Sequence, residues 1–350
     1  MTKRVLVAMS GGVDSSVTAA LLQKQGYEVE GVTLKLTAGL CCDVGSAQGV
    51  CSHLNIPHRI IDAQAEFSRD IISDFISEYR HGRTPNPCIK CNDLIKFRLL
   101  LRTARANGFQ HLATGHYARI EYDAAEARSV LKKGLDGQKD QSYFLYRLTQ
   151  DQMKDVLFPL GGMLKTEVRA LARDLTLPAA ERPESQDICF VPNNDYRSFL
   201  KEHCRAALRS GEIVTTDGKA VGKHDGIAFF TVGQRRKLGV AAGERLYVVG
   251  IDNNANRVIL GKLSELQSDS MVVANLNFIG NDELRFPVNV TVKVRYRSPF
   301  VPAVIEPPVA DTVRVVFKTR VRGVCPGQAA VFYDGDRVVG GGVIDASHVT

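Results

Sequence analysis

Seven residues near the start of the chain, Ser10-Gly11-Gly12-Val13-Asp14-Ser15-Ser16, could together hold an anion. Two adjacent glycines let the backbone approach a phosphate closely, a helix that follows would offer unpaired N–H groups, and three serines add hydroxyl donors. Asp14 beside that anion could hold a magnesium ion or position the ligand, or it could merely cap the helix. The turn lacks the lysine of a Gly-x-x-x-x-Gly-Lys loop and does not match a dinucleotide fingerprint. A second cluster runs from Gly82 to Asn92 and sets Cys88 and Cys91 three residues apart, with Pro85 and Pro87 before them and Ile95-Lys96-Phe97 opening a helix after them. Cysteines at a helix start, beside Asn, Lys and Arg, are expected to have depressed pKa values and to serve as nucleophiles or metal ligands. A zinc knuckle needs a second pair, which Cys41-Cys42 could supply at a spacing that is not diagnostic. The segment Glu184-Ser185-Gln186-Asp187-Ile188-Cys189-Phe190-Val191-Pro192 adds one more cysteine.

The elements that must position these residues are legible from apolar periodicity. Arg4–Met9 reads as a buried strand, Ser15–Gln25 as a helix closed by Gly26, Tyr27–Leu36 as a strand, Val44–Leu54 as a helix and His58–Asp62 as a third strand. That alternation predicts a parallel, doubly wound α/β sheet, and it continues to about residue 190. From Gly211 onward short β-branched runs alternate with turns such as Thr215-Thr216-Asp217-Gly218, Asp252-Asn253-Asn254 and Tyr333-Asp334-Gly335-Asp336, which is all-β character. The expected domains are 1–198, 199–270 and 271–350.

Composition narrows the class. At 350 residues, 44% hydrophobic and 24% charged, the chain has the make-up of a globular protein, and no apolar run approaches the ~20 residues a membrane helix needs. Met1 to Met9 holds only a short strand-like run, Val5 to Ala8, leading into a Gly turn and too short and wrongly flanked for a signal peptide, so a cytoplasmic location and no membrane partner are expected. In a reducing compartment eight cysteines are better read as metal, redox or sulfur chemistry than as structural disulfides. The net charge is +7, and residues 201–350 carry 20 Lys and Arg against 15 Asp and Glu, so the later part is the expected polyanion-binding part.

The Ser10–Ser16 turn resembles the PP-loop of the ATP pyrophosphatases, which grip pyrophosphate and transfer AMP to a substrate oxygen. With Gly82–Asn92, the Cys189 segment, Ala113-Thr114-Gly115-His116-Tyr117, Lys139 to Tyr146 and Val324 to Tyr333, the chain resembles the tRNA-specific 2-thiouridylase family nearly end to end. That resemblance implies a PP-loop domain, a small central domain and a C-terminal β-barrel. It implies ATP and Mg2+ as cofactors, with Ala8, Met9, Ser10, Gly11, Gly12, Val13, Asp14, Ser15, Leu34 and Gly115 around the nucleotide. It implies that Asp14, Cys91 and Cys189 are catalytic, Cys91 as first cysteine and Cys189 as persulfide carrier. Asn86, Pro87 and Cys88 would meet the target base, while His116, Lys139, Asp140, Gln141, Arg295, Tyr296 and Gln328 would contact tRNA. The implied partners are tRNA, with Lys, Glu and Gln acceptors, and a sulfur-donor protein. An alternative is a [4Fe–4S] cluster on Cys88, Cys91 and Cys189. Cys51, Cys204 and Cys325 are expected to be structural, Cys51 on the buried face of its helix.

Overall fold

A computed structural model describes residues 3–37, 43–183, 188–204, 208–240, 243–280 and 285–348. Cys41, Cys42 and Glu184 to Asp187 lie outside the described residues. Contacts divide the chain into two compact units that interleave in sequence. The first holds the chain up to Ile71, then Cys88–Pro192 and Asp336–Val338; the second holds Ile72–Pro87, Asn193–Gly335 and the rest from Val339.

In the first unit β1 (Arg4–Ala8), α1 (Val13–Lys24), β2 (Glu28–Lys35), α2 (Val44–His53) and β3 (His58–Asp62) follow the predicted alternation. Next come β4 (His111–Ala113), a hairpin of β5 (Ala118–Asp123) and β6 (Arg128–Lys133), and β7 (Val156–Leu157). The sheet order is β3-β2-β1-β4-β7, and every neighbouring pair is parallel. Val5, Leu6 and Val7 are fully buried, which is what a strand covered on both faces requires. Helix α2 lies close on β2, because a Cβ on Gly31 would stand 2.5 Å from Cys51 Sγ. Cys51 is 1% exposed, and burial pushes its thiol up to about 11. Since β1 has β2 on one side and β4 on the other, the strand order reverses there. A crevice at the carboxyl ends of β1 and β4 is where such sheets bind ligands.

Two local features depart from the sequence reading. The β5–β6 hairpin is antiparallel, from Ala118 opposite Lys133 to Asp123 opposite Arg128, and it interrupts the alternation expected up to residue 190. Its turn has no Gly or Asn; Asp123 Oδ1 instead accepts from the backbone N–H groups of Ala125 and Glu126, at 3.0 and 3.2 Å, while Ala127 takes a positive φ of 50°. The helix expected to open at Ile95 already begins at Pro87. It runs as Pro87–Cys91, a wider-turned Asn92–Leu100 and Leu101–Ala106 without a break, and proline suits its first position because its missing N–H has no intrahelical partner there anyway.

The second unit contains the helices Ser73–Arg80 and Tyr196–Cys204 and two β assemblies. Strands β8 (Gly211–Thr215), β9 (Ala220–His224), β10 (Tyr247–Asp252) and β11 (Arg257–Gly261) form a sheet in the order β10-β11-β8-β9. Strands β12 (Gln267–Phe278), β13 (Val288–Lys293), β14 (Val301–Ile305), β15 (Val313–Arg322), β16 (Ala329–Asp334) and β17 (Arg337–His348) follow. They run β12-β15-β14-β13-β16-β17, and β12 pairs with β17 to close a barrel. Met271, Val292, Ala303, Val315, Phe332 and Ile344 fill its interior, one residue in two along each strand. No helix among the described residues is long and apolar enough to cross a membrane.

Candidate nucleotide site and reactive cysteines

The chain leaves β1 at Ala8 and enters α1 at Val13 through Gly11, whose φ is +79°. A Cβ there would lie 2.9 Å from the backbone oxygen of Asp43, so both the conformation and the space exclude a side chain. Gly12 occupies the cap position of α1 with extended backbone and no side-chain cap. The first-turn N–H groups are thus left for a ligand, and Asp14 is not the helix cap. The serines turn inward. Ser15 Oγ and Ser16 Oγ donate to Gly12 O at 3.1 and 2.8 Å, and Ser10 Oγ lies 3.2 Å from Ser15 Oγ. Their hydroxyls, expected to face a phosphate, hold the turn in shape instead.

Asp14 gathers residues from distant parts of the first unit. Its Oδ1 accepts from Lys165 Nζ at 2.6 Å and from Tyr117 Oη at 2.8 Å. The Lys165 side chain is only 8% exposed, and a buried ammonium is retained at large cost unless a carboxylate faces it. A lysine in the first turn of Lys165–Asp174 also opposes that helix's dipole, so its place is set by Asp14. The loop after β4 rests on the same turn, because a Cβ on Gly115 would stand 2.9 Å from the carbonyl carbon of Asp14. Arg182 donates to Gly11 O at 3.0 Å and to Asp43 Oδ2 at 2.6 Å. Hydrogen bonds from Ser46 and then Arg182 hold the Asp43 carboxyl well below its usual range. Leu34 is buried on β2 beside Thr33, whose hydroxyl donates to Met9 O at 2.9 Å. Sequence reading did not mark Lys165, Tyr117 or Arg182 as site residues. The one local signal was a lysine where a helix start favours an acid.

The cysteine region occupies the Pro87–Cys91 helix and the Cys189 segment. Cys88 and Cys189 are exposed, Cys91 is buried, and all three carry thiols. The Cys88 thiol lies above its ordinary value, first through loss of surrounding water and then through nearby Cys189, with Lys96 opposing. This corrects the expected depression at Cys88, since its place at the start of the helix does not offset loss of water at the sulfur. Asn92, next to Cys91, is 4% exposed; its Nδ2 donates to Phe144 O at 3.2 Å, while its buried Oδ1 finds no donor among the described residues. The [4Fe–4S] alternative is not supported: among the described residues, which include Cys88, Cys91 and Cys189, no three His, Cys, Asp or Glu side chains are grouped to hold a metal. The other described cysteines pack, Cys204 Sγ donating to Leu200 O at 2.8 Å and Cys325 joining Val232 and Leu266.

Several residues expected to touch RNA are engaged inside the fold. His116 is 8% exposed, 2.5 Å from Thr114 Oγ1 and set between Phe97 and Phe158. Burial, then Lys96, holds its pKa well below 6.5. Asp140 is 7% exposed and accepts from Gly134 N, Ser142 N and Ser142 Oγ at 2.9–3.0 Å. Gln141 trades hydrogen bonds with the Tyr117 backbone at 3.0 and 2.9 Å. Lys139, just before them, is half-buried. In the second unit Gln328 Nε2 donates to Thr84 O at 2.8 Å, just before Asn86 and Pro87, and Arg295 donates to Val232 O at 2.8 Å. Tyr296 has Lys293 Nζ 5.4 Å from its ring, a cation–π distance.

A parallel sheet with an uncapped glycine turn at its switch point defines a nucleotide-binding α/β protein, here carrying two β assemblies. Comparison with known proteins narrows the class. Residues 3–193 match the tRNA methyl transferase HUP domain, 197–262 the tRNA methyl transferase PRC-barrel domain and 268–344 the aminomethyltransferase beta-barrel domain. The tRNA-specific 2-thiouridylase MnmA of Acetivibrio thermocellus is 47% identical over 98% of this chain and 99% of its own length. That of Geotalea uraniireducens is 48% identical over 98% and 95%. The chain belongs to the tRNA-specific 2-thiouridylase family. Among solved structures, a 4-thiouridine synthetase in complex with RNA and bound ATP is 16% identical, with a TM-score of 0.36 over 59% of this chain and 51% of that one. The NMN synthetase of Francisella tularensis is 20% identical, with a TM-score of 0.34 over 52% and 66%.

Proposed function

We propose that the protein is an ATP-dependent tRNA-uridine 2-sulfurtransferase acting on the wobble uridine. The observation that carries this reading is end-to-end likeness to 2-thiouridylases, 47% identity over 98% of the chain, in a protein whose β1–α1 turn is shaped for a phosphate. Ala8 to Ser15, Leu34 and Gly115 form the nucleotide site. The uncapped first turn of α1 takes the pyrophosphate, and Lys165 is placed to balance its charge when Asp14 turns to a magnesium ion brought in with ATP. Bound there with ATP, magnesium would neutralise charge on the leaving phosphates.

The uridine C2 oxygen attacks the α-phosphate, pyrophosphate leaves, and the oxygen becomes part of a phosphate ester able to depart as AMP. A persulfide on Cys189 attacks C2, and the C2–O bond breaks to release AMP. The Cys91 thiolate then attacks Cys189 Sγ, the S–S bond to the base breaks and the thiolated base leaves. The Cys91–Cys189 disulfide that remains needs a thiol reductant to reopen it. Asn86, Pro87 and Cys88 meet the extruded base. The buried Asn92 oxygen next to Cys91 is an acceptor suited to orient a donor in that pocket. Residues 199–270 and 271–350 hold the RNA, with Arg295 and Tyr296 supplying charge and a stacking face. Lys, Glu and Gln tRNAs and a sulfur-donor protein are the proposed partners.

The test is nucleoside mass spectrometry of tRNA incubated with the protein, ATP, Mg2+ and a sulfur source. 2-Thiouridine should form with the wild type and vanish with Asp14→Ala, Cys91→Ser and Cys189→Ser. Normal product from any one variant removes that residue's role, and none from the wild type removes the reading.

A further inference from the structure

The second unit contains a cavity of about 760 Å³ that the reaction above does not use. It opens where the helices Ser73–Arg80 and Tyr196–Cys204 end, against the Ile227–Phe229 turn and the connection between β10 and β11. Its charge is one-sided. Arg80, His81, His203 and Arg209 line it, and none of its described lining residues is Asp or Glu.

Basic residues at helix C-termini often do no more than offset the dipole, and the histidines account for part of that. His81 Nδ1 lies 2.7 Å from Ser77 O and His203 Nδ1 2.9 Å from Phe199 O, so each ring donates to its own helix and keeps Nε2 on its other side. The arginines, Arg80 at its helix C-terminus included, make no such bond. Arg80 and Arg209 are exposed, and neither guanidinium makes an ion pair or hydrogen bond with a described residue. Arg209 is also held in place by its backbone, because Asn256 Nδ2 donates to Arg209 O at 3.3 Å and Ser210 O at 2.9 Å. Asn253 and Asn254 add side-chain amides that have no hydrogen-bond partner among the described residues. Planar guanidiniums with amide donors and no competing carboxylate suit phosphate oxygens. The volume exceeds what one phosphate ion fills, and the exposed arginines leave room for a chain to run on past them.

We infer that this cavity binds the phosphodiester backbone of the RNA substrate, Arg80 and Arg209 each taking a phosphate. The inference rests on the functional reading above and adds a site to it.

The test compares wild type with the full-length Arg80→Ala/Arg209→Ala double variant, binding an unmodified tRNA transcript with uridine at the wobble position over a range of KCl concentrations. Both substitutions are at exposed positions, and an unchanged unfolding midpoint certifies the fold. Binding should weaken roughly tenfold, and the slope of log Kd against log salt should fall by about 1 to 2. KM for the transcript should rise while kcat at saturation stays unchanged. A control double variant at exposed cations of the first unit, Lys24→Ala/Arg102→Ala, should change neither slope nor affinity. Unchanged binding in the cavity variant, or an equal loss in the control, overturns the inference while thiolation by the wild type leaves the function standing. If inorganic phosphate raises the midpoint of the wild type alone and RNA binding does not differ, the site holds free phosphate and the inference is likewise overturned. Failure of the wild type to bind the transcript at all would remove the functional reading first.

Discussion

Asp14 and Asp140 belong to the same unit, and both were expected to meet a ligand, yet their surroundings are opposite. Asp140 is closed off, its two oxygens taking three hydrogen bonds from Gly134 and Ser142, all within eight residues of it. Among the described residues the Asp14 carboxylate is reached across the fold, by Lys165 and Tyr117, and its side chain stays 34% exposed. A carboxylate satisfied by its own loop is fixing that loop. One satisfied from across the fold, at the mouth of an uncapped helix, is available to exchange partners.

Substitutions can break or sharpen this contrast. The largest effect belongs to Asp14→Ala, which should lower thiolation at least a hundredfold with the protein still folded. Asp140→Ala should do the reverse: loss of stability of about 2 to 4 kcal/mol in denaturant melts, because buried N–H groups lose their acceptor, and activity per folded molecule within about threefold. Weaker RNA binding by folded Asp140→Ala would restore the contact role and end the contrast. Lys165→Met, which keeps the length of the chain, should cut kcat roughly tenfold to a hundredfold while leaving RNA affinity unchanged; equal losses in both would make it merely structural. Gly115→Ala forces two backbones apart and should cost about 1 to 3 kcal/mol together with weaker ATP binding by calorimetry.

The smallest effect is in pH. His116 has its folded-state pKa held below 6.5 by burial, so the unfolded chain takes up the proton first. Its contribution is therefore present above about pH 6.5 and is lost as pH falls through the folded value. His116→Gln should flatten the acid limb of a stability profile, and a profile identical to wild type would mean the ring is not buried neutral in solution.

Most of the α/β layout could be read from the sequence because β1, α1, β2, α2 and β3 carry strong apolar periodicity between glycine turns. The β5–β6 hairpin could not, since Asp123 and a left-handed Ala127 replace the usual turn residues. In the site, the Ser10–Ser16 turn was legible because glycine spacing is a local constraint. Lys165 was not, since it stands 151 residues from Asp14 and only the sheet order brings the two together. The inward hydrogen bonds of Asp140, Gln141 and His116 were equally hidden, for residue type says that a side chain can bond a ligand and not whether the backbone has already claimed it. The raised Cys88 thiol belongs to the same class, its first cause being loss of water at the sulfur of a residue that otherwise keeps exposed surface.

The contact between Gly115 and Asp14 has a dynamic consequence. With backbone lying on backbone at that spot, and Gly11 equally tight against Asp43, the loops that end β1 and β4 have no slack to open or shut separately. Adjustment to an arriving nucleotide falls to side chains such as Lys165 and Arg182, so slowing of amide exchange on ATP binding should be confined to the N–H groups of the first turn of α1 that take the phosphate.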